Sequence, residues 1–294
     1  MAVLGKIPVG LNCRSIAEAD WEEVISCLCR GFPQRDRVYW TQALSRQSQM
    51  PAVADFPRYG FILEIEGKGV GVVLTIYVLH QGPEGEHVRC NLSSWYVDVD
   101  YRPYASKMIA VLLRQRTVTF INVSPAPDTR KVNEALGFRL FSKGQFAFLP
   151  VLSSMRSSYR VLEVKPDLPE LAMLPESERH MLAEHAALGC WSLLCVDQQA
   201  AYPFVLMPRK SWGGLVPTCQ VIYCRDMAAL SRCAGTLGRF LLRKGIFISL
   251  VDATAAVPNL VGRYFDDRGV KYVKGPNPPP LGDLTFTELV LFGP

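Results

Sequence analysis

The hydrophobic pattern of the chain switches repeatedly between a period of two residues and a period near 3.6, which is typical of a mixed α/β protein. Apolar runs rich in β-branched and aromatic residues predict strands near residues 9–14, 61–65, 70–80, 87–99 and 117–123. Helical spacing of apolar residues predicts helices near residues 16–28, 36–47, 105–113 and 128–136. The run at 70–80 is almost wholly apolar, as expected for a strand at the centre of a sheet.

The stretch 95–113 joins a predicted strand directly to a predicted helix. Residues 95–99 alternate in the manner of a strand, residues 100–104 contain a proline and turn chemistry, and residues 105–113 have helical spacing. Such a junction directs free backbone N–H groups and the positive end of the helix dipole toward one point. It is therefore a candidate binding site for an anion such as phosphate.

This stretch resembles motif A of the GNAT family, the acyl-CoA-dependent N-acyltransferases, in which a strand, the sequence Gln/Arg-x-x-Gly-x-Gly/Ala and a helix follow one another. Ala105 and Lys107 replace the first glycine and the final small residue of that pattern. The resemblance implies that acetyl-CoA or another acyl-CoA is the co-substrate and that loop amides hold its pyrophosphate. The residues that it places against acyl-CoA are Val97, Val99, Arg102, Tyr104, Ala105, Ser106 and Lys107. Lys107 either reaches the phosphates as a point charge or is a solvated surface lysine.

The N-terminal region resembles the usual opening of the same family, since the sequence A-E-A-D-W-E-E-V follows a strand and is closed by a Gly-Phe step. In the family the two opening helices shape the acceptor pocket, so the resemblance implies that Phe32, Tyr39 and Trp40 line it. Aromatic residues at helical spacing are also typical of core packing, and that alternative stays open. Ser15 and Glu18 have the spacing of a capping box, which predicts that the first helix begins at Ser15.

The proton-transfer residues of the family's motifs are replaced by amides. The sequence A-L-G-F-R-L-F resembles GNAT motif B, but Asn133 stands where many members carry the tyrosine that protonates the leaving thiolate. Asn91 stands near the glutamate base of histone-type members, and an amide is neither an acid nor a base near neutral pH. Glu64, on a strand that would border the acceptor cleft, is the candidate catalytic base, and its alternative role is a cross-strand or solvent-facing carboxylate. His80 and His87 are further candidates, although a lone histidine is more often structural.

Features of the first half recur in the second half at offsets of 130 to 132 residues, which indicates duplication. Gly137 has its counterpart at Gly269, and Phe61 has its counterpart at Trp191. By analogy with the first half, we expect a helix that ends within residues 263–268 and a linker at 153–169. Asp226 occupies the equivalent of the phosphate loop, where it would repel phosphate, so the second copy is predicted to be degenerate.

The predicted fold is therefore α/β, with two tandem GNAT-like domains, each a mixed and mostly antiparallel sheet flanked by helices. The expected bounds are residues 1–152 for the domain with the acyl-CoA site and residues 153–294 for the degenerate domain. The predicted activity is transfer of an acyl group, with acetyl as the first choice, from acyl-CoA to an amine of a small molecule or peptide. The alternative is a non-catalytic acyl-CoA-binding or scaffold module of the same fold.

The composition and the net charge limit the classes of partner and the cellular location that we expect. The net charge of +5 is mild and no basic stripe is present, so nucleic acid is not expected as a partner. The longest apolar run is too short to cross a bilayer and no signal-peptide pattern opens the sequence, so we expect a cytoplasmic protein without membrane association. The nine cysteines are scattered, and His180 and His185 do not share a helix face, so we expect reduced thiols and no metal site.

Overall fold

The computed structural model describes residues 8–82, 85–153, 159–211 and 213–293. Twelve strands form one mixed sheet, which helices flank. The strands are β1 (Asn12–Ser15), β2 (Gly60–Ile65), β3 (Lys68–Gly82), β4 (Gly85–Val97), β5 (Thr119–Asn122), β6 (Arg139–Phe148), β7 (Arg160–Glu163), β8 (Trp191–Val196), β9 (Ala201–Ser211), β10 (Val216–Cys224), β11 (Ile248–Ala253) and β12 (Gly262–Lys274). The helices are α1 (Trp21–Gly31), α2 (Arg37–Ser48), α3 (Ala105–Leu112), α4 (Pro127–Ala135), α5 (Glu176–Ala187), α6 (Met227–Arg243) and α7 (Glu288–Leu291).

The strand order in the sheet is β1-β2-β3-β4-β5-β12-β6-β11-β10-β9-β8-β7. Antiparallel pairing joins β1 to β2, β2 to β3 and β3 to β4, and again joins β7 to β8, β8 to β9 and β9 to β10. The pairs β4–β5 and β10–β11 are parallel. The mixed α/β architecture predicted from the hydrophobic pattern is thus confirmed.

The chain folds into two compact units that do not follow a single cut in the sequence. The first unit contains the described residues up to Val123 together with Val273–Asn277 and Leu291–Gly293. The second unit contains the described residues of Ser124–Tyr272 and Pro278–Val290. The domain bounds of 1–152 and 153–294 stay a prediction.

The first unit is built around β3, the apolar strand that the sequence places at the centre of a sheet. Residues 69–77 of this strand are buried, and α1 packs against it with an apolar stripe that includes Val24 and Leu28. Helix α2 lies within the predicted range of 36–47 except at its last residue, and the Asp36 carboxylate caps it by accepting the backbone N–H of Tyr39 at 2.8 Å.

The capping box predicted at Ser15 is wrong. Ser15 is the last residue of β1 and pairs with β2, so the first helical turn begins only after Ala17. The N–H of Ala17 is satisfied instead by the Asp20 carboxylate, which accepts it at 2.7 Å and is itself held by two hydrogen bonds from Arg14. Pairing with a strand distant in sequence therefore overrides the local signal.

The helix predicted to end within residues 263–268 is also wrong, because these residues belong to the long strand β12. The carbonyl oxygen of Phe265 approaches Gly144 of β6 so closely that a β-carbon at position 144 would overlap it. A glycine is required at this close backbone approach. Gly144 is thus required for the packing of β6 against β12.

The second unit has its core between the sheet and α6. The Asp226 carboxylate caps this helix by accepting the N–H of Ala229 at 2.6 Å. Within the described residues, no helix combines the length and the apolar character needed to cross a membrane. All nine cysteines are free thiols, and seven of them are buried.

His185 connects α5 to the C-terminal segment inside the second unit. Its Nδ1 lies 2.7 Å from the carbonyl oxygen of Met181, and its Nε2 lies 3.1 Å from the backbone nitrogen of Phe286. One partner is an acceptor and the other is a donor, so the neutral ring with a proton on Nδ1 satisfies both. Burial lowers the pKa of His185 to about 4.

We expect the free energy of unfolding to fall as the pH is lowered from 6.5 toward 4, because the unfolded ring takes up a proton that the native ring cannot. This histidine should contribute up to about 1.4 kcal/mol per pH unit. Urea unfolding at pH 7, 6 and 5 should show a steeper loss for the wild type than for His185→Gln, which has no titrating ring. Equal pH slopes for the two proteins would contradict this expectation.

Candidate functional site

A β-bulge in β4 marks the centre of the candidate site. Ser94 and Trp95 together oppose the single residue Val73 of β3. Ser94 has a φ of +47°, in the left-handed region that non-glycine residues seldom adopt. Bulges redirect side chains and are over-represented next to active sites, so this irregularity points to β4 as a functional strand.

Strands β4 and β5 form a short parallel ladder and then part. The ladder joins Arg89–Asn91 to Thr119–Ile121, whereas β4 continues to Val97 and β5 ends at Asn122. Among the described residues, the ladder between β4 and β5 therefore stops at Asn91, while the ladder between β4 and β3 runs on to Val97. Beyond Asn91 its other edge faces the opening that the parting of β4 and β5 leaves, and a strand edge of this kind is suited to an extended ligand that adds as a strand.

The backbone N–H of Val97 is directed into this opening. The N–H of the next residue, Asp98, donates to the carbonyl of Val70 on β3 at 2.8 Å. Because the hydrogen-bonding direction alternates from residue to residue along a strand, the Val97 N–H points to the opposite edge. An amide in this place can donate to a carbonyl oxygen and stabilise negative charge that develops on it.

An arginine clamp fixes the junction between β4 and the following helix. Arg30, near the end of α1, donates to both carboxylate oxygens of Asp98 at 3.2 and 3.0 Å and to the carbonyl of Gly69 at 2.7 Å. These hydrogen bonds to Asp98 raise the pKa of Arg30. The Tyr96 hydroxyl adds a further hydrogen bond to Asp98 at 2.8 Å. The clamp neutralises the Asp98 carboxylate, which would otherwise repel an anion bound nearby.

The segment predicted as a phosphate loop is helical throughout. A 3-10 helix (Val99–Tyr104) continues directly into α3, and Ala105 has ordinary right-handed helical angles, with φ −55° and ψ −38°. No glycine conformation is required at this position. The N–H of Ala105 donates to the carbonyl of Arg102, so this amide is already used inside the chain.

The residues predicted to contact acyl-CoA are neighbours in the sequence, and in the structure they differ in exposure. Val97 and Tyr104 are buried, Val99 is 67% exposed, and Arg102 and Ser106 are exposed. The exposed members are thus available to a ligand, whereas Val97 can contribute through its backbone.

Lys107 lies over the β1 side of α3. Its side chain is half-buried, and its charge counteracts the burial that raises the pKa of the Cys13 thiol on β1. Both interpretations of Lys107, a contact to phosphate and a surface lysine, stay open. Its reach to a phosphate at the start of α3 stays a prediction.

Glu64, the predicted base, is held in an ion pair. Its carboxylate lies 2.8 Å from the Arg14 guanidinium, which also binds Asp20 at 2.7 Å. The hydrogen bonds to Asp20 and Glu64 raise the pKa of Arg14. Glu64 belongs to β2, and β3 lies between β2 and β4 in the sheet. Its role as a base stays a prediction, and the role requires this ion pair to open.

Phe32, Tyr39 and Trp40 lie close together, and their role in lining an acceptor pocket stays a prediction. The ring centroids of Phe32 and Trp40 lie 5.6 Å apart, and those of Tyr39 and Trp40 lie 5.0 Å apart. Trp40 is only 3% exposed, so it is part of the core, whereas the other two rings are half-buried. The guanidinium of Arg35 covers the Tyr39 ring at 4.3 Å.

Sequence reasoning missed a buried polar stripe on β4. Arg89, Asn91 and Ser93 alternate with apolar residues, and each is at most 5% exposed. The Asn91 side chain donates to the carbonyl of Leu92 at 2.9 Å, so this amide is hydrogen-bonded to the neighbouring backbone. The alternation is visible in H-V-R-C-N-L-S, but an ordinary half-buried strand has the same pattern.

Three further residues named from the sequence, Asn133, His180 and His185, differ in burial. Asn133 is 2% exposed at the end of α4, where its backbone carbonyl accepts the N–H of Phe138 at 3.0 Å. His180 has a largely exposed side chain, whereas His185 is fully buried. Across the described ranges, His, Cys, Asp and Glu side chains do not assemble into a group of three that could hold a metal ion.

The second unit repeats the strand arrangement but closes the start of its helix. Gln220 of β10 lies opposite Leu250 of β11, as Asn91 of β4 lies opposite Ile121 of β5. Gln220 follows Asn91 by 129 residues in the sequence, and Leu250 follows Ile121 by the same number. At the start of α6, however, the Asp226 carboxylate occupies the place where an anion would bind.

Solved structures share this architecture. A GCN5-related N-acetyltransferase from Anabaena variabilis matches with a TM-score of 0.58 at 10% identity, over 90% of this chain and 72% of its own. One from Kribbella flavida matches with a TM-score of 0.53 at 12% identity, over 91% of this chain and 72% of its own. A GCN5-related glucosamine N-acetyltransferase region of a fungal multi-domain GH3 β-N-acetylglucosaminidase has a TM-score of 0.57 at 11% identity, over 91% of this chain and 38% of that protein. No protein-family model and no curated protein sequence matches the chain.

We expect Gly31→Ala to destabilise the contact between α1 and β4, because a β-carbon at position 31 would overlap the ring of Tyr96. The free energy of unfolding, measured with urea, should fall by about 1–3 kcal/mol. In a Tyr96→Ala background the ring and its γ-carbon are absent, so the same change should cost clearly less, about 1 kcal/mol or below. A cost that does not depend on residue 96 would show that the two positions are not in contact.

Proposed function

Since the chain has the fold of the GNAT superfamily over about 90% of its length, we propose that it is an acyltransferase. The reaction is transfer of an acyl group, with acetyl as the first choice, from acyl-CoA to an amine of a small molecule or peptide. The observation that carries this proposal is the open edge of β4, which begins where the ladder with β5 ends at Asn91 and runs to Val97. An open strand edge beside a helix start suits a ligand that has an extended amide-containing arm and a phosphate end.

The residues of the first unit fit acyl-CoA in two respects. The β4 edge offers backbone donors and acceptors to the amide-containing arm of the ligand. The exposed Arg102 and Ser106 at the start of α3 offer a charge and a hydroxyl to the phosphates. Because the Ala105 N–H is already used, we assign phosphate binding to these side chains and to the helix dipole more than to a cradle of amides.

The direction of the Val97 N–H defines the role that we propose for this amide in the reaction. Acyl-CoA supplies the thioester, and the acceptor amine forms the new C–N bond while the C–S bond breaks. The Val97 N–H donates to the carbonyl oxygen and stabilises the negative charge that develops there. The amine loses its proton to water or to a base, for which Glu64 is the candidate in the sequence. Asn133 cannot protonate the departing thiolate, so we assign that proton to solvent.

We further propose that the two halves are tandem copies and that only the first binds acyl-CoA. The strand order supports duplication, since it reads β1-β2-β3-β4-β5 from one end of the sheet and β7-β8-β9-β10-β11 from the other. The pair Gln220–Leu250 lies 129 residues after the pair Asn91–Ile121 in both of its strands, which supports duplication independently. The nine free thiols suit a reducing compartment, and a cytoplasmic location is part of the same proposal.

A non-catalytic acyl-CoA-binding or scaffold protein is the second candidate. It is favoured by the amides at Asn91 and Asn133 and by the ion pair that occupies Glu64. Such a protein would bind the donor through the same β4 edge but would not turn it over.

The first test is binding followed by turnover. Acetyl-CoA and longer acyl-CoAs should raise the melting temperature by linkage, and calorimetry should give a stoichiometry near one per chain, since Asp226 closes the second helix start. Release of free thiol in the presence of an amine panel would support the enzyme, and binding without release would support the second candidate. Two equal sites, or no binding at all, would contradict the assignment of the site to the first unit.

Substitutions at Ala105 test whether phosphates lie at the start of α3. Ala105→Asp should weaken acyl-CoA binding about tenfold or more, since charges about 4 Å apart repel by roughly 1–4 kcal/mol. The fold should survive, because aspartate is favourable at a helix N-terminus. Ala105→Gly is the control, and it should cost only about 1 kcal/mol of binding through a more flexible helix start. Wild-type affinity of a folded Ala105→Asp protein would mean that the phosphates bind elsewhere.

A further inference from the structure

Five strand ends of the second unit meet at one edge of the sheet, where β12, β6, β11, β10 and β9 are neighbours in this order. The start of β10 lies beside the start of β11 and the end of β9, since Thr218 is opposite both Ile248 and Arg209. The N–H of Leu149, after β6, donates to the carbonyl of Val261, before β12, at 2.9 Å. Neighbouring strands lie about 4.8 Å apart, so this edge extends over roughly 20 Å. We call the connections that meet here the loop edge, and they are residues 149–153, 213–217, 244–247 and 260–263.

Large apolar side chains are exposed on each connection of the loop edge. The exposed fractions are 84% for Leu215, 59% for Phe247, 53% for Leu152 and 46% for Val261. A single exposed apolar residue is ordinary on a protein surface. Four of them along one sheet edge form the kind of surface that marks an interaction site.

The loop edge is also basic. Lys210 of β9, Arg243 and Lys244 at the end of α6, and Arg263 of β12 are all exposed. Lys244 lies 3.4 Å from Glu163 of β7, and exposed pairs of this kind are weak. No Asp or Glu occurs in the sequence of the four chain segments that build this edge, residues 147–153, 203–217, 239–248 and 257–263.

The helix dipole accounts for only part of this charge. Cations are favourable at the C-terminal end of a helix, which is sufficient reason for Arg243 and Lys244. Lys210 and Arg263 belong to strands, so the dipole gives no reason for them. The basic character is therefore a property of the whole edge, and it favours an anionic partner.

The combination of apolar and basic side chains distinguishes between classes of anionic partner. Single-stranded nucleic acids stack their bases on aromatic rings, whereas three of the four exposed apolar side chains here are aliphatic. A protein interface has a well-packed apolar core inside a polar rim, whereas these side chains stand on four separate connections. At an anionic bilayer, apolar side chains enter the boundary of the acyl chains while Lys and Arg stay at the phosphates.

We propose that the loop edge docks this protein on the surface of a membrane that contains anionic lipids. Phe247 and Leu215 enter the interface, and Lys210 and Arg243 contact the headgroup phosphates. The sequence expectation of no membrane association rests on the lack of a spanning segment and a signal peptide, and neither bears on docking to one face of a bilayer. The proposal is independent of the proposed function, because the loop edge lies in the second unit and contains no residue assigned to acyl-CoA.

Co-sedimentation of the full chain with vesicles tests the class of lipid. The protein should bind vesicles of phosphatidylcholine that contain about one third phosphatidylserine at least about tenfold more tightly than vesicles of phosphatidylcholine alone. Raising the salt concentration from about 0.1 M to about 0.5 M should weaken this binding by screening the cations. Equal binding to both vesicles, or no binding to the anionic ones, would overturn the proposal.

Two double variants test the location. Phe247→Ser with Leu215→Ser removes the apolar tips, and Lys210→Gln with Arg243→Gln removes two cations. Each double variant should weaken binding to the anionic vesicles about tenfold or more. All four side chains are exposed, so the melting temperature should stay near that of the wild type.

Leu140→Ser and Arg139→Gln are the matched controls, because both side chains are exposed at the opposite end of β6. They should bind vesicles like the wild type, and a loss equal to that of the double variants would overturn the location. Binding that survives the serine pair but not the glutamine pair would indicate a contact through charge alone, as with an acidic protein, and would overturn the membrane assignment. Acyl-CoA affinity should be unchanged in every variant, so this proposal and the proposed function can fail separately.

Discussion

The candidate site depends on the unequal pairing of β4, whose ladder with β3 is longer than its ladder with β5. β4 keeps its backbone paired with β3 through the bulge at Ser94 and as far as Val97, while the ladder with β5 stops at Asn91. An unpaired strand edge normally attracts another strand, so the opening persists only because the rest of the unit holds β4 in position. The long apolar β3 provides this support, since its buried residues anchor the register of its neighbours.

The clamp from Arg30 to Asp98 links two regions that are far apart in sequence. One end of the clamp is the last turn of α1, from which the chain continues to α2 and its aromatic residues, and the other end is the exit from β4. Because Gly31 allows the Tyr96 ring to lie directly on α1, the helix and the strand are in contact beside the charge pair as well. The residues proposed to receive an acceptor and those proposed to receive the donor are thus connected through these contacts within the first unit.

The features that the sequence predicts correctly have strong local signals. The continuous apolar run of β3 and the helical spacing in α2 and in α3, where Met108 and Leu112 lie, all lead to the observed elements. The failures occur where distant pairing decides. Ser15 pairs with β2 and so belongs to β1, and residues 262–274 form a strand of the sheet instead of a helix. Short-range patterns contain no information on such partners.

Asp226 has a consequence for the history of the chain. On the duplication that we propose, a single carboxylate both caps α6 and blocks its start to anions, so loss of a ligand and gain of stability arrived together. The helix behind it spans 17 residues and buries ten of them. A reversion that reopened this end would give up the cap and would expose the helix start before any ligand contact was regained. On this proposal, selection for a folded protein keeps Asp226 in place. The loops of the second half can change freely, whereas a return to anion binding at the start of α6 would first cost stability.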